Sequence, residues 1–234
     1  MMRLPARESS FATSMLLLAV FAIQGASAAA AEPQASRWEE KIAAFEAADQ
    51  KSPPPKGAVL FLGSSTIVGW PLAKLFPDLP TINRGFGGSQ ISDSVEFAER
   101  IVLPHEPRVI VFYAGDNDLA NGKTPDQVLA DFKALVAKVH AAHPKTRILF
   151  VGIKPSLKRW ALIDKIREAN SLMRAYCASD DRMAFVDVER VMLGADGQPR
   201  KDLLKPDGLH LNDRGYEIWS DLIRPHLALL PGAE

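Results

Sequence analysis

The sequence predicts an α/β fold: a three-layer α/β/α sandwich around about five parallel strands, in one domain. Three observations predict it. Short apolar runs alternate with helix-length segments along the chain. The runs are continuous and not alternating in polarity, as strands need when helices cover both faces of a sheet. Each run is followed by small or polar residues, and ligands in open parallel sheets sit beyond the carboxyl ends of the strands.

The elements follow in order. Residues 36–50 predict an amphipathic helix with Trp38, Ile42 and Phe45 on one side, stopped by Ser52-Pro53-Pro54-Pro55. Strands are expected at Ala58–Leu62, Thr81–Asn83, Val109–Tyr113, Arg147–Ile153 and Ala184–Val188. Helices are expected at Ile91–Ile101, Pro125–Ala142, Ala161–Ala178 and Asp213–Leu229. Tyr216 and Trp219 in the last of these have the spacing of buried positions.

The N-terminus has a different character. Arg3 and Arg7 precede an apolar stretch from Phe11 to Ile23, and Gly25-Ala26-Ser27-Ala28-Ala29 follows. A basic flank, a short apolar core and an Ala-x-Ala site describe a secretory signal peptide. The stretch is shorter than the ~20 residues of a membrane-spanning helix. Residues 1–30 are therefore expected to be removed, residues 31–56 to form the N-terminal helix and Pro-rich linker, and residues 57–234 to form the main domain. The mature protein is expected to be exported, to the periplasm or the medium, with no membrane span.

Of the 234 residues, 47% are hydrophobic, enough for one sizeable core. Basic and acidic side chains balance at 28 each, which gives no electrostatic reason for a nucleic acid or anionic membrane partner. Cys177 is the only cysteine, so no internal disulfide forms, and its apolar helical surroundings predict a buried thiol. His105, His140, His143 and His226 lack paired ligands at useful spacing and are read as surface or capping residues, with no metal site expected.

The predicted strand ends converge on one rim. The first strand ends in Gly63-Ser64-Ser65-Thr66, the second in Asn83-Arg84-Gly85-Phe86-Gly87-Gly88-Ser89, and the third in Gly115-Asp116-Asn117-Asp118. Lys154-Pro155-Ser156 follows the fourth, and Asp207-Gly208-Leu209-His210 precedes the last helix. A serine hydroxyl needs a base, and the base needs a group that fixes its tautomer. Asp207 and His210, three positions apart around a glycine, can place a carboxylate beside one ring nitrogen and leave the other free for a serine. Gly88 and Asn117 offer hydrogen-bond donors for a developing oxyanion. Arg84, Lys154 and Trp160 make a candidate substrate rim of cations and an indole. A phosphate cradle is disfavoured because the lysine of a P-loop is absent.

These four blocks, in this order, resemble the SGNH hydrolases, also called GDSL esterases, over about residues 57–229. The arrangement resembles the platelet-activating-factor acetylhydrolase-like branch, whose members lack a large lid. The resemblance implies a flavodoxin-like fold and a catalytic Ser65, Asp207 and His210. It also implies an oxyanion hole that includes Gly88 and Asn117, and neither cofactor nor metal. The family usually has Asp before the nucleophile, where this chain has Ser64, so two adjacent hydroxyls compete; register with the family selects Ser65. The implied activity is hydrolysis of a small acyl ester, acetyl on a small molecule or carbohydrate. The alternatives are a carbohydrate O-acetyltransferase with the same triad and a non-catalytic binding protein that retains the fold.

Overall fold

The computed structural model describes residues 1–2 and 37–228. The expected signal peptide, apart from its first two residues, lies outside the described residues. Five strands form one sheet: β1 (Val59–Gly63), β2 (Thr81–Gly85), β3 (Val109–Tyr113), β4 (Arg147–Val151) and β5 (Met183–Val186). Every pairing is parallel, and the order is β2-β1-β3-β4-β5.

Alternate residues of β1, β3 and β4 enter different cores, which is why these strands read as unbroken apolar runs. Leu60, Leu62, Ile110, Phe112, Ile148 and Phe150 pack in one core. The helices of that face are α1 (Glu39–Lys51), α4 (Ile91–Ile101), α6 (Pro125–Ala142) and α7 (Ile163–Cys177). Val59, Phe61, Val109, Val111, Tyr113 and Leu149 enter the other, against Tyr216, Trp219, Ile223 and Leu227 of α9 (Asp213–Ala228). Tyr216 and Trp219 are buried, and Cys177 is buried on the opposite face, as the sequence predicts. Burial pushes the Cys177 thiol up to about 12.

Two helices, α4 and α6, run where the sequence places them, and local chemistry fixes their starts. Thr124 and Gln127 form a reciprocal capping box at the N-terminus of α6, with bonds of 3.2 and 2.8 Å. At α4, the Gln90 N–H donates to Asp93 Oδ2 at 2.7 Å. Other boundaries shift. β1 and β2 run on to Gly63 and Gly85, which pair with each other in the ladder although glycine is a poor strand former. β4 stops at Val151, before the predicted Ile153, because Asn170 takes both the N–H and the C=O of Ile153, at 2.8 and 2.9 Å. The predicted Ala161–Ala178 helix begins with a 3₁₀ turn, Trp160–Leu162, ahead of α7. Four one-turn helices were not anticipated: α2 (Ser65–Val68), α3 (Leu72–Leu75), α5 (Asp116–Ala120) and α8 (Glu189–Met192). Among the described residues no helix is long and apolar enough to cross a membrane.

The strand order reverses direction at β1, between β2 and β3. A crevice opens beyond the carboxyl ends of strands at such a point. The segments that follow β1, β2 and β3 carry Ser65 at the start of α2, Gly88 in a loop and Asn117 in α5.

Candidate active site

Ser65 is set by the way β1 leaves the sheet. Gly63 has φ +138°, and a Cβ there would lie 1.9 Å from the Tyr113 carbonyl oxygen on β3. Only glycine fits, and the Ser64 N–H then bonds that same carbonyl at 3.1 Å. The short helix α2 is pinned from two sides. Tyr216 Oη donates to the Thr66 carbonyl at 2.9 Å, and Asn83 Nδ2 to the Ile67 carbonyl at 2.7 Å. This geometry separates the two hydroxyls. Ser64 is 1% exposed and its Oγ has no hydrogen-bond partner among the described residues, whereas Ser65 is half-buried.

His210 Nε2 lies 3.0 Å from Ser65 Oγ, across 145 positions of sequence. His210 Nδ1 lies 2.6 Å from Asp207 Oδ2. A carboxylate only accepts, so Nδ1 carries the proton and Nε2 is left to accept from the serine. Asp207 Oδ1 in turn accepts from the N–H groups of Leu209 and His210, at 2.9 and 3.0 Å. These bonds, the His210 side chain foremost, hold the Asp207 carboxyl well below the usual carboxylate range. A tight loop carries the pair: Gly208 N–H bonds the Lys205 carbonyl at 2.9 Å and Lys205 N–H the His210 carbonyl at 2.7 Å. Asp207 and His210 side chains are 41% and 33% exposed, so the site is open to solvent.

The loops after β2 and β3 meet beside this triad. A Cβ on Gly87 would lie 3.8 Å from Ser65 Cβ, which places the glycine segment against the serine. Gly88 follows with φ +83°, a conformation that suits glycine. The N–H groups of Ser65 and Gly88 have no hydrogen-bond partner among the described residues. Asn117, at the second position of α5, donates from Nδ2 to the Ser89 carbonyl at 2.9 Å. Asp118 ties the same two loops, its buried carboxylate accepting from Ile91 N–H at 3.2 Å and from Lys123 at 3.0 Å. A groove of about 400 Å³ lies alongside, lined by Arg37, Trp38, Lys41, Val68 and Gly87 among others.

Two of the three expected rim residues, Arg84 and Lys154, are buried and do not line an open rim. Arg84 is 6% exposed; its guanidinium pairs with Asp49 of α1 at 2.6 Å and reaches His105 Nε2 at 3.1 Å. It is a buried tie between α1 and the sheet. Lys154 is 2% exposed, with Nζ donating to Tyr113 Oη at 3.0 Å and 3.6 Å from Asp116 Oδ2. It lies beneath the site, where burial lowers its pKa. Trp160 is half-buried at the start of its 3₁₀ turn. The residue that does reach the site region from this segment is its neighbour Arg159, which donates to Asn117 Oδ1 at 2.7 Å. The signal available for it was the run Lys158-Arg159-Trp160 beyond the fourth strand end.

His105, His140 and His143 serve the scaffold. His140 and His143 ring nitrogens lie 3.0 and 2.9 Å from the carbonyls of Thr146 and Leu103. His105 is buried and not a surface residue, because Arg84 and Asp49 close over it. Among the described residues no group of three His, Cys, Asp or Glu could hold a metal ion.

A hydroxyl bonded to an imidazole, itself bonded to a carboxylate, is equipped to attack a carbonyl carbon. The model of the GDSL-like lipase/acylhydrolase family matches residues 61–218, which span the first strand to the last helix. Platelet-activating factor acetylhydrolase IB subunit alpha1 of Homo sapiens is 31% identical over 178 residues, covering 72% of this chain and 74% of the relative. Among solved structures, a GDSL-like lipase from Bacteroides thetaiotaomicron superposes with a TM-score of 0.67 at 21% identity, covering 83% of this chain and 97% of that one. The lipase/acylhydrolase from Enterococcus faecalis superposes with a TM-score of 0.60 at 19% identity, covering 75% and 98%. At these identities the two structural likenesses are likenesses of fold.

Proposed function

We infer that this chain, which belongs to the GDSL-like lipase/acylhydrolase family and is an ester hydrolase, cleaves small acyl esters by a Ser65–His210–Asp207 acyl-enzyme route. The observation that carries the reading is the unbroken line from Ser65 Oγ through the His210 ring to Asp207, with steps of 3.0 and 2.6 Å.

In the first half-reaction His210 Nε2 takes the Ser65 proton as Oγ bonds to the ester carbonyl carbon, and the carbonyl oxygen becomes an oxyanion. Asp207 stabilises the imidazolium so formed. The backbone N–H groups of Ser65 and Gly88 and the second Nδ2 hydrogen of Asn117 are the donors available to the oxyanion, and losing one such donor costs about 3–4 kcal/mol of transition-state stabilisation. Collapse breaks the bond to the alcohol, which leaves with the proton from His210. Water then repeats the sequence: His210 takes its proton, hydroxide adds to the acyl carbon, and Ser65 leaves carrying the proton.

Acetyl is the acyl group we favour. The exposure of Asp207 and His210 leaves the site open to solvent and not enclosed around a long acyl chain. The curated human relative is an acetylhydrolase by name. A series of p-nitrophenyl esters tests this: kcat/KM is expected to be highest for acetate and to fall with chain length. A maximum at eight or more carbons would contradict it. Export belongs to the same proposal and rests on the basic, apolar and Ala-x-Ala character of residues 1–30.

A further inference from the structure

We propose that Arg159 is a positioning residue for the oxyanion amide, acting through Asn117; this rests on the oxyanion role given to Asn117 above. The guanidinium forks across two neighbours in sequence. One Nη donates to Asn117 Oδ1 at 2.7 Å, and the other pairs with Asp116 Oδ2 at 2.7 Å.

A side-chain amide has two orientations, related by a half-turn, whose oxygen and nitrogen occupy nearly the same space. Only one of them offers N–H groups to an oxyanion. Here two independent contacts select that orientation. Ser89 presents a carbonyl, which only accepts, to Nδ2. Arg159 presents a guanidinium, which only donates, to Oδ1. In the flipped amide both contacts would become repulsive, donor facing donor and acceptor facing acceptor.

The guanidinium has a second effect. A cation bonded to Oδ1 draws electron density along the amide and makes its N–H hydrogens better donors, a cooperative strengthening of linked hydrogen bonds. The oxyanion would thus feel Arg159 at one remove, through a neutral group, with no direct contact.

Arg159 is itself held from below. Asp116 is buried, its Oδ2 lies 3.6 Å from Lys154 Nζ, and Lys154 donates to Tyr113 Oη at 3.0 Å. The buried carboxylate therefore sits between two cations, and the one nearer the surface, Arg159, is the one that reaches Asn117. This accounts for two cations that the hydrolytic steps do not use. A lysine at 159 could not reproduce the fork, since an ammonium is a single point of contact.

The test is a double-mutant cycle on p-nitrophenyl acetate hydrolysis, with kcat and KM measured for Arg159→Met, Asn117→Ala and the double variant. Asn117→Ala is expected to lower kcat by about 10²–10³-fold. Arg159→Met is expected to lower kcat by about 10-fold or more, from loss of one charge-assisted hydrogen bond, with KM little changed. The double variant is expected to be no slower than Asn117→Ala, because Arg159 has nothing left to position. Full kcat in Arg159→Met, or a double variant in which the two losses multiply, would overturn the proposal while leaving the oxyanion role of Asn117 intact. Full kcat in Asn117→Ala would remove that role and the proposal with it. Should Arg159→Met fail to fold, Arg159→Lys keeps the charge beside Asp116: a kcat between those of wild type and Asn117→Ala is expected, and an unchanged kcat would overturn the proposal.

Discussion

Ser64 and Ser65 carry the same hydroxyl in opposite surroundings. Ser64 is enclosed, while Ser65 reaches an imidazole at 3.0 Å. The difference is one residue of turn geometry, fixed by Gly63 and by the bond from Ser64 N–H to Tyr113. Asp207 and His210 were legible in the sequence because their partnership is local, three positions apart. Arg84, Lys154 and Arg159 were not legible, because each is defined by partners some 35 to 42 positions away. A cation at a strand end reads the same whether it faces solvent or a buried carboxylate. The local pair carries its own prediction. Asp207→Asn puts a donor opposite Nδ1, favours the wrong tautomer and is expected to lower kcat by about 10³–10⁴-fold with the fold intact. Steady-state kinetics on p-nitrophenyl acetate check it, and a loss under tenfold would mean that Asp207 does not orient the ring.

At the scale of elements, apolar runs located all five strands, and errors fell at their ends. Those ends are where the ladder gives way to side-chain bonds, as at Ile153 with Asn170, or where glycines continue it, as at Gly63 with Gly85. The one-turn helices escaped because four or five residues are too few to reveal a period. The β1–α2 junction is the least tolerant of these joints. Gly63→Ala would bring a Cβ within 1.9 Å of a backbone oxygen at φ +138°, so β1 and β3 must part or the turn must move. Destabilisation of at least about 3 kcal/mol is expected, measured by urea unfolding, together with loss of esterase activity. A variant of wild-type stability would contradict the close packing at this turn.

At the scale of the molecule, burial holds three histidines, His105, His140 and His226, below their ordinary pKa. Arg84 adds to the effect at His105 and Asp49 opposes it. At these three sites the unfolded chain therefore binds more protons than the folded one as pH falls below about 6.5, and their contribution to stability is lost on acidification. The carboxyls of Asp180, Asp202 and Asp207, held low by their partners, lose their contribution only at more acid pH. Burial raises Asp93 and Asp118, which gain stability as pH falls and offset part of the histidine effect. The urea midpoint is expected to be lower at about pH 5 than at about pH 7.5. A higher midpoint at the acid pH would contradict this.

The same whole-chain view holds the central claim, that the fold brings a hydroxyl after the first strand to an imidazole before the last helix and so activates it. Labelling the folded protein with a fluorophosphonate and mapping the modified peptide tests it most directly, because only an activated serine reacts. Label is predicted on Ser65, retained in Ser64→Ala and lost in both Ser65→Ala and His210→Ala. Label on Ser64, or none on the folded wild-type protein, would contradict the account.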